Sequence, residues 1–88
     1  MMYLGQLLDV LDDNERLTIR SSVERTITYI DELKLADAKA ELTKAARQCS
    51  IAQIYSDMSD YRRETVMVVY IRPNGCSVIG EDIYSRRG

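Results

Sequence analysis

The sequence predicts an α+β domain with a four- or five-stranded, largely antiparallel sheet, one long helix packed on a face and a short N-terminal helix. Three observations predict this class. Leucines recur at helical spacing near the N-terminus, short runs alternate β-branched with polar residues, and an alanine-rich segment follows an aspartate that can cap a helix. With 88 residues the chain makes a single domain. Residues 1–79 are expected to form its core and residues 80–88 a mobile tail.

The N-terminal third predicts a helix followed by a β-hairpin. Leucine spacing places the helix at residues 5–11, and the polar run at residues 12–14 ends it, because short polar side chains bond nearby backbone. Alternating residues predict strands at 16–20 and 25–30, the second one rich in β-branched side chains. These two strands are expected to pair.

The middle of the chain predicts the longest helix, over residues 32–48, with Asp31 as its N-cap. Its buried stripe has small and apolar residues at intervals of three and four: Leu35, Ala38, Leu42, Ala45 and Cys49. Basic residues gather toward the C-terminal half, which suits the helix dipole.

The C-terminal half predicts two strands and a return. Residues 51–55 alternate as a half-buried strand, residues 56–64 are polar and read as a loop, and residues 65–72 are apolar enough for a central strand. Pro73-Asn74-Gly75 predicts a tight turn in which the glycine adopts positive φ. Residues 76–79 could return as a short final strand, which would make the number of strands five instead of four.

The aromatic composition favours binding over catalysis. All six aromatic residues are tyrosine, and histidine, phenylalanine and tryptophan are absent. Without histidine the chain lacks the commonest general base and the commonest metal ligand. Tyrosine joins an apolar ring to a polar tip, which suits a contact surface. We therefore expect a non-enzymatic protein with no cofactor and no metal site.

Charge and cysteine usage bound the partners and the compartment. The net charge of −2 comes from 12 basic and 14 acidic side chains, a balance that argues against a dedicated DNA binder, so nucleic acid is not an expected partner. Cys49 and Cys76 match no zinc or redox spacing; two free thiols are expected, and a disulfide between them stays open. Neither a signal peptide nor a membrane-spanning run is recognisable, which predicts a cytosolic protein.

The polar segment at residues 56–64 is the best candidate for a contact loop. Tyr61, Arg62 and Arg63 are of the types enriched at binding hot spots, although a connection without function is an even alternative. Arginines beside a tyrosine could also stack on a nucleic-acid base, but the flanking acids partly neutralise them.

Two further groups complete the candidate contact residues. Asp12 and Asp13 are an acidic patch that a basic partner groove could accept; a solvated helix end and a cation site are the alternatives, and the spacing of a calcium loop is missing. Tyr55 is predicted to lie on a strand, as is Tyr70. Their rings would either form an exposed aromatic face or cap the edge of the core.

Four segments resemble small proteins encoded in the early regions of bacteriophages and mobile elements. They are a leucine-rich helix with an acidic turn, a charge-alternating strand, a strand ending in Ile-Tyr and an apolar strand, at residues 4–12, 16–20, 51–55 and 66–71. The alanine-rich helix and the segment from Pro73 depart from that pattern. The resemblance implies an accessory protein of the bacterial cytoplasm, and inhibitors of host defence, including anti-CRISPR proteins, are one role in that group. No functional residue transfers from it.

The leading hypothesis from the sequence is a phage or mobile-element protein that binds and inhibits a bacterial protein, such as a CRISPR or other defence effector. Two alternatives come from other classes. A nucleic-acid-binding regulator would use Arg16, Arg20 and Arg25 on a sheet face. A self-associating module would form a homodimer through an unpaired edge strand at residues 76–79.

Overall fold

The computed structural model describes residues 2–59, 61 and 63–79. The elements follow in the order α1 (Leu4–Val10), β1 (Arg16–Ser21), β2 (Thr28–Lys34), α2 (Leu35–Glu41), α3 (Lys44–Arg47), β3 (Ser50–Met58) and β4 (Thr65–Arg72). The predicted α+β class is confirmed. The N-terminal helix and the first strand lie where the sequence predicts them, and β4 has the predicted bounds.

The four strands form one mixed sheet in the order β2-β1-β4-β3. Its two outer pairs are antiparallel, whereas the central strands β1 and β4 run parallel, with Arg16 opposite Val66 and Ser21 opposite Ile71. The prediction of a largely antiparallel sheet is therefore wrong at the centre. The helical segment between β2 and β3 carries the chain back, so that β4 enters beside β1 in the same direction.

The second strand lies further along the chain than predicted. β2 spans Thr28–Lys34, where Asp31 was expected to cap a helix. Leu33 pairs with Leu17 of β1, so the strand includes residues that the sequence pattern assigned to the helix. Glu32 has a φ of 52°, and the register shifts on either side of Ile19, so β2 is an irregular edge strand.

A break replaces the predicted long helix with two short ones. α2 ends at Glu41, and α3 begins after Thr43, whose backbone is extended. The Thr43 hydroxyl accepts from the N–H of Ala46 at 3.1 Å and donates to the carbonyl of Ser77 at 2.6 Å. Because the threonine caps one helix and holds a distant segment, the helix does not continue through it.

The helices cover one face of the sheet and form the main core with it. Alternation along β1 and β4 directs Leu17, Ile19, Val69 and Ile71 to this face. The other members of the buried cluster come mostly from the helices and the segments joining them, and they are Leu4, Leu7, Leu8, Ile30, Leu35, Ala38, Leu42, Ala46, Cys49 and Val78.

The segment after β4 docks on the helices instead of adding a strand. Among the described residues its strand-like pairing is a single bridge between Leu42 and Ile79, supported by a hydrogen bond from the N–H of Thr43 to Val78. Of the two predicted strand numbers, four is therefore the one observed in the described chain, and the optional fifth strand at residues 76–79, with an exposed edge there, does not form. The expected tail at residues 80–88 lies outside the described residues.

The turn after β4 confirms the predicted glycine conformation. The N–H of Cys76 donates to the carbonyl of Pro73 at 3.0 Å, and Asn74 and Gly75 between them have φ values of 53° and 76°. Positive φ at both corners defines a type I′ turn, which asparagine and glycine tolerate best. Pro73 thus precedes the corners, although the sequence pattern placed it at the first one.

The second face of the sheet is partly closed by its own edges. Ser59, directly after β3, donates its hydroxyl to a carboxylate oxygen of Glu32 on β2 at 2.6 Å, although β2 and β3 are opposite edges. Val66 and Val68, on the strand between them, are buried on this side. The opposite end of the same face, at the last residues of β1 and β4, remains open.

Candidate functional site

Three neighbouring strands place polar and aromatic side chains in one row on the open end of the sheet. Arg20 of β1 lies opposite Tyr70 of β4, and Tyr70 lies opposite Gln53 of β3. Tyr55 is two residues beyond Gln53 and therefore shares its face. The turn between β1 and β2 adds Arg25. We call these five residues the Tyr–Arg cluster.

The cluster is organised around the ring of Tyr70. The guanidinium carbon of Arg25 lies 4.6 Å from the ring centroid and that of Arg20 lies 6.0 Å from it, both within cation–π range. Tyr55 stacks on the same ring with 6.2 Å between centroids and 27° between planes. Arg25 also donates from Nη2 to Oε1 of Gln53 at 3.3 Å, which ties the turn to β3.

The turn that carries Arg25 is fixed by local hydrogen bonds. The Ser21 hydroxyl at the end of β1 accepts from the N–H groups of Val23 and Glu24 at 3.2 and 3.0 Å. Backbone bonds from Ile27 to Glu24 and from Ser21 to Ile27 close the loop. A serine that begins a turn in this way explains why the chain reverses before Arg25.

The cluster combines a covered ring with an accessible one. Tyr70 is 6% exposed, whereas Tyr55 is 39% exposed and offers part of its ring to solvent. The pKa of the Tyr55 phenol is raised, chiefly by its interaction with the Tyr70 phenol and then by burial. The charge of Asp57 adds to the rise and that of Arg20 opposes it, so the hydroxyl keeps its proton at neutral pH.

The two guanidinium groups of the cluster lack an ion-pair partner in the part of the chain that the structure describes. Among the residues that the structure describes, carboxylates pair only with Arg16 and Lys39, and neither Arg20 nor Arg25 has a carboxylate within 4.0 Å. The Nε of Arg20 is buried and has no hydrogen-bond partner among the described residues. The cluster therefore contains two arginines without an ion pair among the described residues, although the whole chain carries a net charge of −2.

Arg16, the third arginine of the predicted sheet face, lies at the other end of β1. Its Nε donates to Glu64 at 2.9 Å, and its Nη1 donates to the carbonyl of Glu32 at 2.9 Å. It also lines a cleft of about 470 Å³ together with Lys34 and Met67. Because its charge is paired, Arg16 links the edge strand β2 to the start of β4 and does not join the Tyr–Arg cluster.

The predicted contact loop is shorter than the sequence suggests and stays a prediction. β3 continues to Met58, so the connection begins at Ser59. Tyr61 is 93% exposed, and Arg63 is exposed with a φ of 55°, its N–H donating to the carbonyl of Ser59 at 2.8 Å. Arg62 lies outside the described residues.

The acidic contact residues lie in the turn between α1 and β1. Asp12 accepts from the N–H of Asn14 at 2.8 Å through its carboxylate, as expected of a residue that starts a turn. Asp13 is exposed and 3.8 Å from the ammonium nitrogen of Lys39 on α2. These contacts favour the solvated helix end over a dedicated site. No cluster of three or more Cys, Asp and Glu able to hold a metal occurs in the described ranges.

Of the predicted contact residues, Tyr55 alone belongs to the Tyr–Arg cluster. Gln53 was missed altogether, and the pairing of Arg20 with Tyr70 was not foreseen. The available signal was strand alternation, which puts Arg20 on one face of its strand. Alternation does not identify the neighbouring strand, so the row formed by Arg20, Tyr70 and Gln53 across the sheet could not be predicted from the sequence.

The sequence is related to a trans-acting regulatory protein. The relative is HvrA of Rhodobacter capsulatus, which is 35% identical over 68 residues that span 75% of this chain and 67% of HvrA. The chain belongs to the family of this regulatory protein. No family model and no solved structure gives a significant match.

This family relationship overturns the hypothesis of a phage-derived inhibitor of host defence. A regulatory relative favours the alternative of a nucleic-acid-binding regulator, so the expectation that nucleic acid is not a partner is wrong as well. The resemblance to mobile-element proteins and the absence of enzymatic activity stay predictions. No helix among the described residues is long and apolar enough to cross a membrane.

Proposed function

We propose that the protein is a regulatory protein that binds single-stranded nucleic acid through the Tyr–Arg cluster. The observation that carries the proposal is the pair of guanidinium groups held over one tyrosine ring, without a carboxylate partner among the described residues, beside a second, accessible ring. The regulatory role rests on the relationship to HvrA, whose name describes a trans-acting regulator. The bacterial cytoplasm remains the expected compartment.

The chemistry of the cluster suits an unpaired base and its phosphates. A base can stack on the exposed part of Tyr55, because every base has a π face and such stacking requires no particular sequence. Arg25 is exposed and lies over the ring of Tyr70, on which Tyr55 stacks, and its donors can reach a phosphate oxygen there. Gln53 supplies an amide that can bond the edge of the stacked base.

The form of nucleic acid follows from the shape of the surface. The cluster lies on a sheet face, not on a protruding helix, and all three helices of the described chain pack on the opposite side. Reading a duplex usually requires an element that enters a groove. A flat row of rings and arginines instead matches splayed, single-stranded bases.

Fluorescence anisotropy with labelled single-stranded RNA and DNA tests the proposal. Tyr55→Ala should weaken binding by about tenfold, because a stacked base contributes about 1–3 kcal/mol. Arg25→Ala should also weaken it by about tenfold, because a charged hydrogen bond to a phosphate is lost. Tyr61→Ala is the matched control for the ring, since its side chain is 93% exposed and lies outside the cluster. Lys44→Ala is the charge-matched control on the helical face.

The outcome separates the cluster from a general charge effect. Equal losses for Arg25→Ala and Lys44→Ala would mean that net charge alone matters, and the proposed site would be wrong. Undiminished binding by Tyr55→Ala, with circular dichroism unchanged, would exclude stacking on that ring. A higher affinity for duplex than for either single strand would contradict the proposed form of ligand.

A further inference from the structure

Two thiols are in contact where the helical layer meets the end of β4. The Sγ of Cys49 lies 3.3 Å from the Sγ of Cys76, although the residues are 27 positions apart. Cys49 is 2% exposed and belongs to the main core, whereas Cys76 is half-buried and packs against that core. Both are free thiols in this structure.

We propose that Cys49 and Cys76 form a redox-active pair, which a small disulfide such as oxidised glutathione converts into an intramolecular disulfide within the folded domain. This inference is independent of nucleic-acid binding. It goes beyond the sequence, in which the two cysteines match no known redox spacing.

The geometry requires only a small movement. A disulfide has an S–S length of about 2.05 Å, so the sulfurs must approach each other by roughly a further 1.2 Å. Cys49 is fixed at the junction of α3 and β3, in the core. Cys76 follows a type I′ turn whose corners, Asn74 and Gly75, are exposed. The movement therefore falls on a surface turn and leaves the packing of the helices intact.

The burial of the two thiols sets the order of reaction. Cys76 is the accessible one, so its thiolate attacks one sulfur of oxidised glutathione, forming a mixed disulfide and releasing one glutathione thiolate. The Cys49 thiolate then attacks the Cys76 sulfur, and the second glutathione leaves. The two protons lost by the cysteines appear on the two glutathione thiols, so the cysteines are oxidised and the glutathione disulfide is reduced.

The environment of Cys49 changes in favour of the second step once the first has occurred. The pKa of the Cys49 thiol is raised to about 12, first by burial and then by the hydrogen bond and the charge of the adjacent Cys76 thiol. In the mixed disulfide, Cys76 has neither a dissociable proton nor a charge. Two of the three causes are then removed, which makes the Cys49 thiolate easier to form.

The proposed bond would tie the turn after β4 to the start of β3. The Sγ of Cys49 already lies 3.7 Å from the carbonyl oxygen of Pro73, so the turn and the core are in contact there. Closing a loop of 27 positions restricts the unfolded chain. Such restriction raises the melting temperature, by about 5–15 °C for a domain of this size.

The test exposes the full-length folded chain to mixtures of reduced and oxidised glutathione and follows it by intact-protein mass spectrometry. We expect a monomer that has lost two hydrogens, no titratable thiol and a higher melting temperature, all reversed by dithiothreitol. Peptide mapping under non-reducing conditions should join the peptides containing Cys49 and Cys76.

Single-cysteine variants test the order of reaction. C49S should stop at a stable glutathione adduct on Cys76, whereas C76S should react at least tenfold more slowly than wild type. If C49S does not fold, mapping of the short-lived adduct on wild type by rapid acid quench answers the same question. Two thiols that stay titratable, an adduct that persists on wild type, or disulfides formed only between molecules would overturn the proposal.

Discussion

Arg20 and Arg25 approach the same tyrosine ring with no carboxylate partner among the described residues. Two like charges at one ring repel each other, and the unsatisfied Nε of Arg20 costs free energy because the group is buried. The cation–π contacts with Tyr70 offset part of that cost. A bound phosphate would supply the missing negative charge, which is why we place the binding site at this point of the sheet.

Cys49 makes the stability of the domain sensitive to alkaline pH. The pKa of its thiol is raised from 9.0 to about 12, first by burial and then by Cys76. A raised pKa in the folded state means that the protonated thiol is favoured there, so its contribution to stability is complete below pH 9 and is lost as the pH rises toward 12.

Urea titrations between pH 8 and about 11, under reducing conditions, measure this effect. We expect the free energy of unfolding of wild type to fall more steeply with rising pH than that of Cys49→Ala, which has no thiol at this position. The other ionisable groups are common to both proteins and cancel in the comparison. Parallel pH profiles would show that Cys49 is not protected from ionisation.

At the scale of elements, the break at Thr43 decides the architecture of the helical layer. The hydroxyl of this residue caps α3 and holds the segment after β4 through Ser77. A continuous helix would leave that segment without its contact at Leu42 and Thr43. The break therefore lets the C-terminal part of the described chain cover the core.

Thr43→Ala should lower the free energy of unfolding by about 1–2 kcal/mol, because both hydrogen bonds of the hydroxyl are lost. Thr43→Ser keeps the hydroxyl and should lose less than half as much. Chemical denaturation with circular dichroism measures both. An alanine variant as stable as wild type would mean that the break has another cause.

The predictability of the fold differed between local and distant contacts. α1, β1 and β4 were predictable because periodicity within each segment fixes its type. The segment at residues 32–48 was not predictable in this way. Its first residues join β2 because Leu33 pairs with Leu17, and its middle is interrupted where Thr43 bonds Ser77. An alanine-rich pattern indicates helical propensity, but it does not reveal a strand partner or a hydrogen bond to a remote segment.

The candidate site was predictable only in its parts. The sequence indicates Tyr55 as a contact residue and Arg20 and Arg25 as a basic sheet face. Its composition nevertheless favours the loop at Tyr61 as the main contact site. Bringing Arg20, Tyr70 and Gln53 into one row requires the parallel contact of β1 with β4. That contact joins distant parts of the chain and leaves no periodic signal.

For the whole molecule, a net charge of −2 limits how strongly any nucleic acid can be held. If Arg20 and Arg25 are the phosphate contacts, the logarithm of the binding constant should fall with the logarithm of salt concentration with a slope of about −1.4, or about −0.7 for each contact. Arg25→Ala should halve that slope. Anisotropy titrations at four or more salt concentrations measure it, and a wild-type slope steeper than about −3 would require a larger basic surface.

The parallel partnership of β1 and β4 also has a consequence for how the chain acquires its shape during synthesis. β1 leaves the ribosome before the strand that completes its pairing, which begins only at Thr65. Until then the nascent chain can close the β1–β2 hairpin and nothing on its other side. The sheet should therefore form abruptly once β4 is available, and a ribosome stalled before Thr65 should display a protease-sensitive chain.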